Sequence, residues 1–359
     1  MPSALRSMEQ IEQKLTESID WNKARIKFLA RFLAALIAVK TVCLTQIASV
    51  FPGEARKDSH YKRIQRFLSG FHLDFATVAR LVIALIGQEP PWILALDRSN
   101  WKLGKTHINV LMLALVYKGV AFPLLWMVLG KAGNSSTAER IALLEQYLCL
   151  FPAPSIAYLC ADREFVGKEW LDYLRQRGIP FRIRLRNNTQ VPNARGVKVA
   201  VKRLFWSCPV GQSRTLAGSR CVWGRDLYLS GMRLARGEFL IVASADPSAE
   251  TLTEYGKRWG IETLFGGLKR RGFCLEATHV TEPERLCRLL ALLSIAFCWA
   301  FVAGEWLSEQ VPLKVKKHGR PAVAILRRGL DWLRALLCPL CGRTDQRELQ
   351  KALQFLSCT

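Results

Sequence analysis

The sequence predicts an α/β fold in which a mixed sheet is flanked by helices, with an all-helical region before it and a β-rich insertion inside it. Three features predict this arrangement. Apolar positions recur every three to four residues through much of the first 85 residues, which is typical of helices. From residue 91, short apolar runs alternate with amphipathic stretches, as strands and helices do in mixed sheets. A polar segment rich in Arg, Gly and Val then interrupts the alternation.

Residues 1–88 are expected to form a helical DNA-binding domain. A short helix, a Pro-Gly turn and a basic helix are predicted over residues 44–71. The basic helix carries Lys62, Arg63 and Arg66. This order is compatible with a DNA-binding helical module. A helical domain with a solvated basic face explains it equally well, because the strict spacing of a helix-turn-helix motif is absent.

The sheet core is predicted in two pieces, residues 89–186 and 237–310. The run "PPWILALD" ends on Asp97, and "HINVLMLALVYKGVAFPLLWMVL" predicts two apolar strands joined by a Lys-Gly turn. After a helix, "SIAYLCAD" predicts a strand that ends on Asp162. A second helix and the strands "PFRIRLR" and "EFLIVASAD" follow. A long apolar stretch from Leu286 predicts a buried helix near the end of the core.

Residues 187–236 form the predicted β-rich insertion, with short strand-like pieces around Trp206 and Trp223. Residues 311–359 predict a helical C-terminal region that opens with a basic loop. No internal repeat or low-complexity segment is evident.

The charge balance indicates a polyanionic partner. The chain has 52 Lys and Arg residues against 29 Asp and Glu residues, a net charge of +23. Such an excess costs self-repulsion in the compact state and is typical of proteins that bind nucleic acid. Nucleic acid is the foremost candidate, with ribosomal RNA and an anionic membrane surface as the alternatives.

The cysteines and apolar runs indicate a reduced, cytosolic environment without membrane spans. The 11 cysteines form no regular framework, and the first twenty residues are polar and charged. Cys338 and Cys341 have a zinc-like spacing, but no second pair follows at zinc-finger distance. The apolar run from Leu289 to Gly304 is shorter than the roughly 20 residues that a bilayer requires.

Two aspartates end predicted strands on the same edge of the sheet. Asp97 and Asp162 each follow an apolar run, and Glu262 lies on the helix after the last strand. Catalytic and ligand-binding groups favour such strand ends. Three carboxylates can supply the oxygen ligands of Mg²⁺, and two such ions can promote cleavage of a phosphodiester. Taken singly, each aspartate could instead form a turn or cap a helix.

The stretch "YGKRWGIETLFGGLKRRGF" places Glu262 among positive charges. A single continuous helix, at 100° per residue, would bring four side chains onto a face about 60° wide. These residues are Tyr255, Arg258, Glu262 and Lys269. A surface ion pair explains Arg258 and Glu262 but not the other two. Trp259 and Phe265 are expected to pack on the opposite side of the helix.

The pattern Tyr-x2-Arg-x3-Glu-x6-Lys in this stretch resembles the YREK signature of the insertion-sequence-4 family of DDE transposases. The segment "CADREFVG" around Asp162 is similar to that family's second-acid motif, and "LALDRSNW" around Asp97 is similar to its first. The resemblance covers residues 91 to about 275.

The resemblance implies an RNase H-like core, in which Asp97, Asp162 and Glu262 hold two Mg²⁺ or Mn²⁺ ions. It further implies that the signature's basic and phenolic residues hold DNA phosphates. In relatives, an aromatic side chain of the insertion stacks on a flipped base. Trp206 and Trp223 are the candidates in this chain.

The resemblance also implies cut-and-paste movement of a bacterial insertion sequence in the nucleoid-associated cytoplasm. The enzyme would bind terminal inverted repeats, nick the 3′ ends, form hairpins and transfer the ends into target DNA. It would work as a homodimer that contacts the two ends in trans.

Two alternative functions stay open, and the sequence departs from the family's pattern at one place. A catalytically inactive relic, or an inhibitor of transposition, would share the charge and the basic helices. An RNase H-like resolvase would need the acids but not the residues around Glu262. The departure follows Asp97, where "RSNW" stands in place of the small hydroxyl residues of many relatives, and it could reposition the scissile phosphate.

Overall fold

The computed structural model describes residues 2–314, 323–337 and 346–356. It confirms the predicted α/β fold, with a mixed central sheet flanked by helices and helical regions at both ends of the chain. The Cys338 and Cys341 pair and most of the basic C-terminal loop lie outside the described residues.

The N-terminal region is helical, as predicted. Its helices are α1 Pro2–Ser18, α2 Lys23–Val39, α3 Leu44–Ser49, α4 Lys57–Gly70 and α5 Phe75–Ile86. The side chains of Asn22 and Asp74 accept backbone N–H bonds at the starts of α2 and α5, which satisfies donors that a helix leaves free. Phe28 stacks on Phe67 with ring centroids 4.1 Å apart, so α2 and α4 share one apolar core.

The central sheet has the strand order β3-β2-β1-β4-β5-β11-β10-β8. Its first half consists of β1 Trp92–Leu103, β2 Thr106–Tyr117, β3 Val120–Leu129, β4 Ile156–Ala161 and β5 Phe181–Arg184. β1, β2 and β3 form an antiparallel meander, whereas β1, β4 and β5 run parallel. This order and these directions form the RNase H-like core. β11 Phe239–Ser244 pairs antiparallel with β5 and extends the sheet.

The segment from 187 to 236 contributes strands to this same sheet. β8 Ser213–Thr215 and β10 Arg225–Arg233 continue it beyond β11, and β9 Arg220–Val222 pairs with β10. A small separate sheet consists of β6 Gln190–Pro192 and β7 Lys198–Ala200. The strand-like piece predicted at Trp206 is wrong: Trp206 ends a 3₁₀ helix, and Trp223 lies in the β9–β10 turn with φ at 51°.

Helices cover the sheet and close the chain. They are α6 Thr137–Leu148, α7 Lys168–Gln176, α8 Thr251–Gly256, α9 Trp259–Gly266, α10 Pro283–Gln310, α11 Ile325–Leu337 and α12 Gln346–Gln354. A reciprocal capping box between Ser136 and Glu139 starts α6. By length and composition α10 could cross a membrane, but 83% of its most apolar window is buried inside the protein.

Candidate active site

Asp97 lies in the middle of β1, not at a strand end as predicted. The parallel pairing of β1 with β4 stops at Leu96 and Ala161, so Asp97 and Asp162 both lie one residue past the last parallel pair. β1 continues because its antiparallel pairing with β2 extends to Leu103. The two aspartates are therefore neighbours at the same level of the sheet, although only Asp162 ends its strand.

The carboxylate of Asp97 is buried and paired with Arg258. Its Oδ1 accepts the backbone N–H of Arg98 at 2.8 Å, and its Oδ2 accepts Nη1 of Arg258 at 2.7 Å. Burial raises the pKa of Asp97 to about 6, because the attraction of Arg258 offsets only part of the lost hydration. A buried carboxylate with this pKa benefits from a further cation when it is ionised.

Asp162 lies beside a phenol and a second guanidinium. The hydroxyl of Tyr255 donates to Oδ1 of Asp162 at 3.3 Å, and burial raises the pKa of this phenol, which keeps the donor protonated. Nη1 of Arg184 lies 3.8 Å from the same oxygen. The buried Nε of Arg184 has no hydrogen-bond partner within the described parts of the chain.

Arg184 is a site residue that the sequence reasoning missed. It is the last residue of β5, within "PFRIRLR", where every second residue is an arginine. Alternation along a strand places such residues on one face, and that face is the one occupied by Asp162. The repeated arginine in an otherwise apolar strand was the available signal.

The stretch that carries Glu262 is not the single continuous helix that was predicted. α8 ends at Gly256 and α9 begins at Trp259, and a π-helical turn from Gly267 to Arg271 follows α9. Glycines at these breaks weaken the helix. Arg258 nevertheless lies within 3.5 Å of Oε1 of Glu262, so its guanidinium contacts two of the three predicted acids.

Lys269 reaches the same strand as Asp97. Its ammonium donates to the backbone oxygen of Asn100 at 2.9 Å, forms an ion pair with Glu276 at 3.2 Å, and lies over the ring of Trp101. The "RSNW" segment thus supplies the backbone that holds Lys269, and Lys269 does not contact the acids directly.

Trp259 does not pack as predicted. Its side chain is 68% exposed, whereas Phe265 is buried at 9%. The helix break before Trp259 rotates α9 relative to the predicted single helix, which turns this ring to the surface.

Among the described residues, the other side chains predicted to bind DNA make no contact with the three acids. Lys62, Arg63 and Arg66 are exposed on α4. Trp206 is 62% exposed and stacks on Phe239. Trp223 is only partly exposed.

Carboxylate oxygens suit a hard divalent cation, but in this structure the three predicted acids do not form a metal cage. Within residues 2–314, 323–337 and 346–356, no group of three or more His, Cys, Asp or Glu side chains is close enough to hold an ion. Arg258 lies between Asp97 and Glu262. Its contacts with Glu262 are long, and that carboxylate is 44% exposed, so a small side-chain movement could release it.

The chain is similar to known transposase domains. The family described as "Transposase DDE domain" matches residues 88–299, which is more than half of the chain. A cryo-EM structure of a piggyBac transposase synaptic complex with hairpin DNA is similar at 13% identity and a TM-score of 0.45, covering 99% of this chain and 85% of the other. No curated protein sequence matches the chain.

Proposed function

Because the chain belongs to the transposase DDE domain family, it is a DNA transposase, and we propose that it performs cut-and-paste transposition of an insertion sequence of the insertion-sequence-4 type. In this proposal it binds terminal inverted repeats, nicks their 3′ ends, forms hairpin intermediates and transfers the ends into target DNA. The proposal is supported by the net charge of +23, which suits a DNA partner.

One observation carries the proposal: two residues of the signature contact all three predicted acids. Arg258 contacts Asp97 and Glu262, and Tyr255 contacts Asp162. Residues separated by up to 165 positions therefore meet at one place, which a surface ion pair between Arg258 and Glu262 would not require.

Asp97, Asp162 and Glu262 would hold two Mg²⁺ or Mn²⁺ ions, which supply an activated water or 3′-hydroxyl and neutralise the charge of the leaving oxygen. Arg258 holds Asp97 in place through a 2.7 Å contact, and its contact with Glu262, at 3.5 Å, is the weaker one. Tyr255 donates to Asp162 and so fixes the orientation of that carboxylate.

Phosphate binding is assigned to the cations around the acids. Nη1 of Arg184 lies 3.8 Å from Oδ1 of Asp162, and this guanidinium would bind a DNA phosphate beside the acid. Arg258 would turn from Glu262 toward the scissile phosphate. Lys269, whose ammonium lies against Asn100 of β1, would contact the DNA backbone from the π-helical turn after α9.

The remaining assignments extend this proposal to the whole chain. Residues 1–88 would bind the element ends through the exposed basic face of α4, and Trp206 or Trp223 in residues 187–236 would stack on a flipped base. Residues 89–186 and 237–310 would form the catalytic core. The protein would act as a homodimer in the bacterial cytoplasm, associated with the nucleoid.

A cleavage assay tests the proposal. Purified protein is incubated with its own element's terminal inverted repeats and Mg²⁺ or Mn²⁺, and nicked and hairpin products are resolved. We expect products from the wild type and none from Asp97→Ala, Asp162→Ala or Glu262→Ala, with end binding retained. Asp172→Ala is the matched control, because Asp172 pairs with Arg225 outside the site. Cleavage that survives all three substitutions would refute the site.

The same assay distinguishes the rival function. An inactive relic or an inhibitor of transposition would bind the ends but give no products with either metal, even as the wild type.

A further inference from the structure

Arg98, the residue after the first acid, forms a partly buried polar network on the opposite face of β1 from Asp97, because successive strand residues point to opposite faces. Its Nε and Nη2 donate to the two carboxylate oxygens of Glu164, each at 3.1 Å. Nη1 donates to Asn109 at 3.0 Å and Nη2 also donates to Asn134 at 3.2 Å. The side chain of Arg98 is 12% exposed, so this two-bond ion pair is largely shielded from water.

Glu164 belongs to the segment that carries the second acid. It lies two residues after Asp162, in the connection between β4 and α7. Buried Arg140 of α6 holds the backbone of this connection, donating to the carbonyl oxygens of Glu164 at 3.0 Å and Val166 at 3.4 Å. The side chain of Glu164 is therefore the group through which this fixed segment is attached to β1.

The backbone ladder between β1 and β4 does not extend as far as the two acids. Its last pair is Leu96 with Ala161, one residue before Asp97 and Asp162. Beyond that pair, the Arg98–Glu164 ion pair connects the two acid-bearing segments from the far face of the sheet.

We propose that Arg98 and Glu164 are positioning residues that fix the separation of the Asp97 and Asp162 carboxylates and thereby set the affinity of the site for divalent metal. This inference rests on the proposed function. Groups that orient metal ligands from behind commonly change metal affinity or activity by about 10- to 100-fold when removed. The first residue of "RSNW" then has a role in this chain: Arg98 points to the face opposite Asp97 and holds the segment that carries the second acid, through Glu164.

The forked contact between Arg98 and Glu164 determines which substitutions test the proposal. A lysine keeps the charge of Arg98 but lacks the planar fork that donates from two nitrogens to the two oxygens of Glu164, so Arg98→Lys isolates the forked contact. Glu164→Gln keeps the size of the side chain and removes its charge. Asp172→Asn is the matched control, because Asp172 and Arg225 form a two-bond ion pair between α7 and β10 in which the carboxylate is as exposed as that of Glu164.

The experiment measures Mn²⁺ binding to the full-length protein by calorimetry, with no DNA present. We expect Mn²⁺ to bind about 10-fold more weakly, or worse, to Arg98→Lys and Glu164→Gln, and to bind Asp172→Asn as it binds the wild type. The Mn²⁺ concentration for half-maximal nicking should rise by the same factor. Binding of inverted-repeat DNA in EDTA, and the melting temperature relative to Asp172→Asn, should change little.

Unchanged Mn²⁺ affinity in both Arg98→Lys and Glu164→Gln would overturn the inference and leave the proposed function intact. Failure of the proposed function gives a different result: Mn²⁺ would then bind Asp162→Ala and Glu262→Ala as tightly as the wild type. Because the two variants remove different halves of the pair, an unstable protein in one case still leaves the other to decide.

Discussion

Replacing Asp97 with asparagine should make the metal-free protein more stable at neutral pH. Burial raises the pKa of Asp97 from 3.8 to about 6, and a rise of this size corresponds to about 3 kcal/mol. Asparagine removes the buried charge and keeps an oxygen that can accept from Arg258. The hydrogen bond that now holds Arg258 therefore need not be lost with the charge.

The pH dependence has a defined sign. The folded pKa of Asp97 lies above the unfolded value, so its contribution to stability is fully present below pH 3.8 and is lost as the pH rises to about 6. The asparagine side chain of the Asp97→Asn variant cannot ionise. The free energy of unfolding of Asp97→Asn should therefore increase relative to the wild type by about 2 kcal/mol between pH 4.5 and pH 7.

Urea unfolding after removal of metals with EDTA measures this difference at several pH values. Asp172→Asn is a control of opposite sign, because its hydrogen bond with Arg225 holds the pKa of Asp172 below its usual value. The stability that Asp172 contributes is present at neutral pH and is lost as the pH falls. The prediction fails if the difference in unfolding free energy between Asp97→Asn and the wild type does not change with pH, or if the wild type gains stability relative to the variant as the pH rises. Either result would show that Arg258 affects the pKa of Asp97 at least as strongly as burial does.

Three further outcomes are expected. Gly304→Ala should destabilise the protein by about 1–3 kcal/mol, because the added Cβ would lie 2.0 Å from a carbonyl oxygen of α11. The control is Gly70→Ala, which should be tolerated because its added Cβ meets no atom within 4 Å. Thermal unfolding compares the two variants. Phe265→Ala should cost about 3–5 kcal/mol and exposed Trp259→Ala under about 0.5 kcal/mol in the same assay, and equal losses would contradict the packing. Lys269→Ala should weaken binding to inverted-repeat DNA. The slope of log binding constant against log salt concentration should become shallower by about 0.9, the value for one phosphate contact, and an unchanged slope would exclude that contact.

The strands were predictable where burial alone determines them. β3 and the part of β2 from residue 110 onward are apolar, and the turn between them places Lys118 and Gly119 at positive φ, as the Lys-Gly pair indicated. The end of β1 was not predictable in this way. "RSNW" after Asp97 is polar enough to resemble a loop, but antiparallel pairing with β2 satisfies its backbone and keeps it in the strand.

The sequence predicted which residues of the candidate site are neighbours better than it predicted the geometry that brings them together. The spacing from Tyr255 to Glu262 predicted that Arg258 and Glu262 would be neighbours, and they are. An ideal helix could not reveal the break at Arg258 or the π-helical turn that contains Lys269, because an ideal helix has 3.6 residues per turn without interruption. The contact between Arg258 and Asp97 joins residues 161 positions apart and follows from tertiary packing alone.

Whether the three acids hold divalent metal beside DNA is tested most directly by locating Mn²⁺ in crystals of the protein bound to inverted-repeat DNA. Anomalous scattering from Mn²⁺ identifies the ion independently of any activity. We expect anomalous peaks ligated by Asp97, Asp162 and Glu262, beside a DNA phosphate, with Arg258 turned away from Glu262. Peaks at other residues, or DNA bound with Arg258 still joining Asp97 to Glu262 and no Mn²⁺ between the acids, would contradict this expectation.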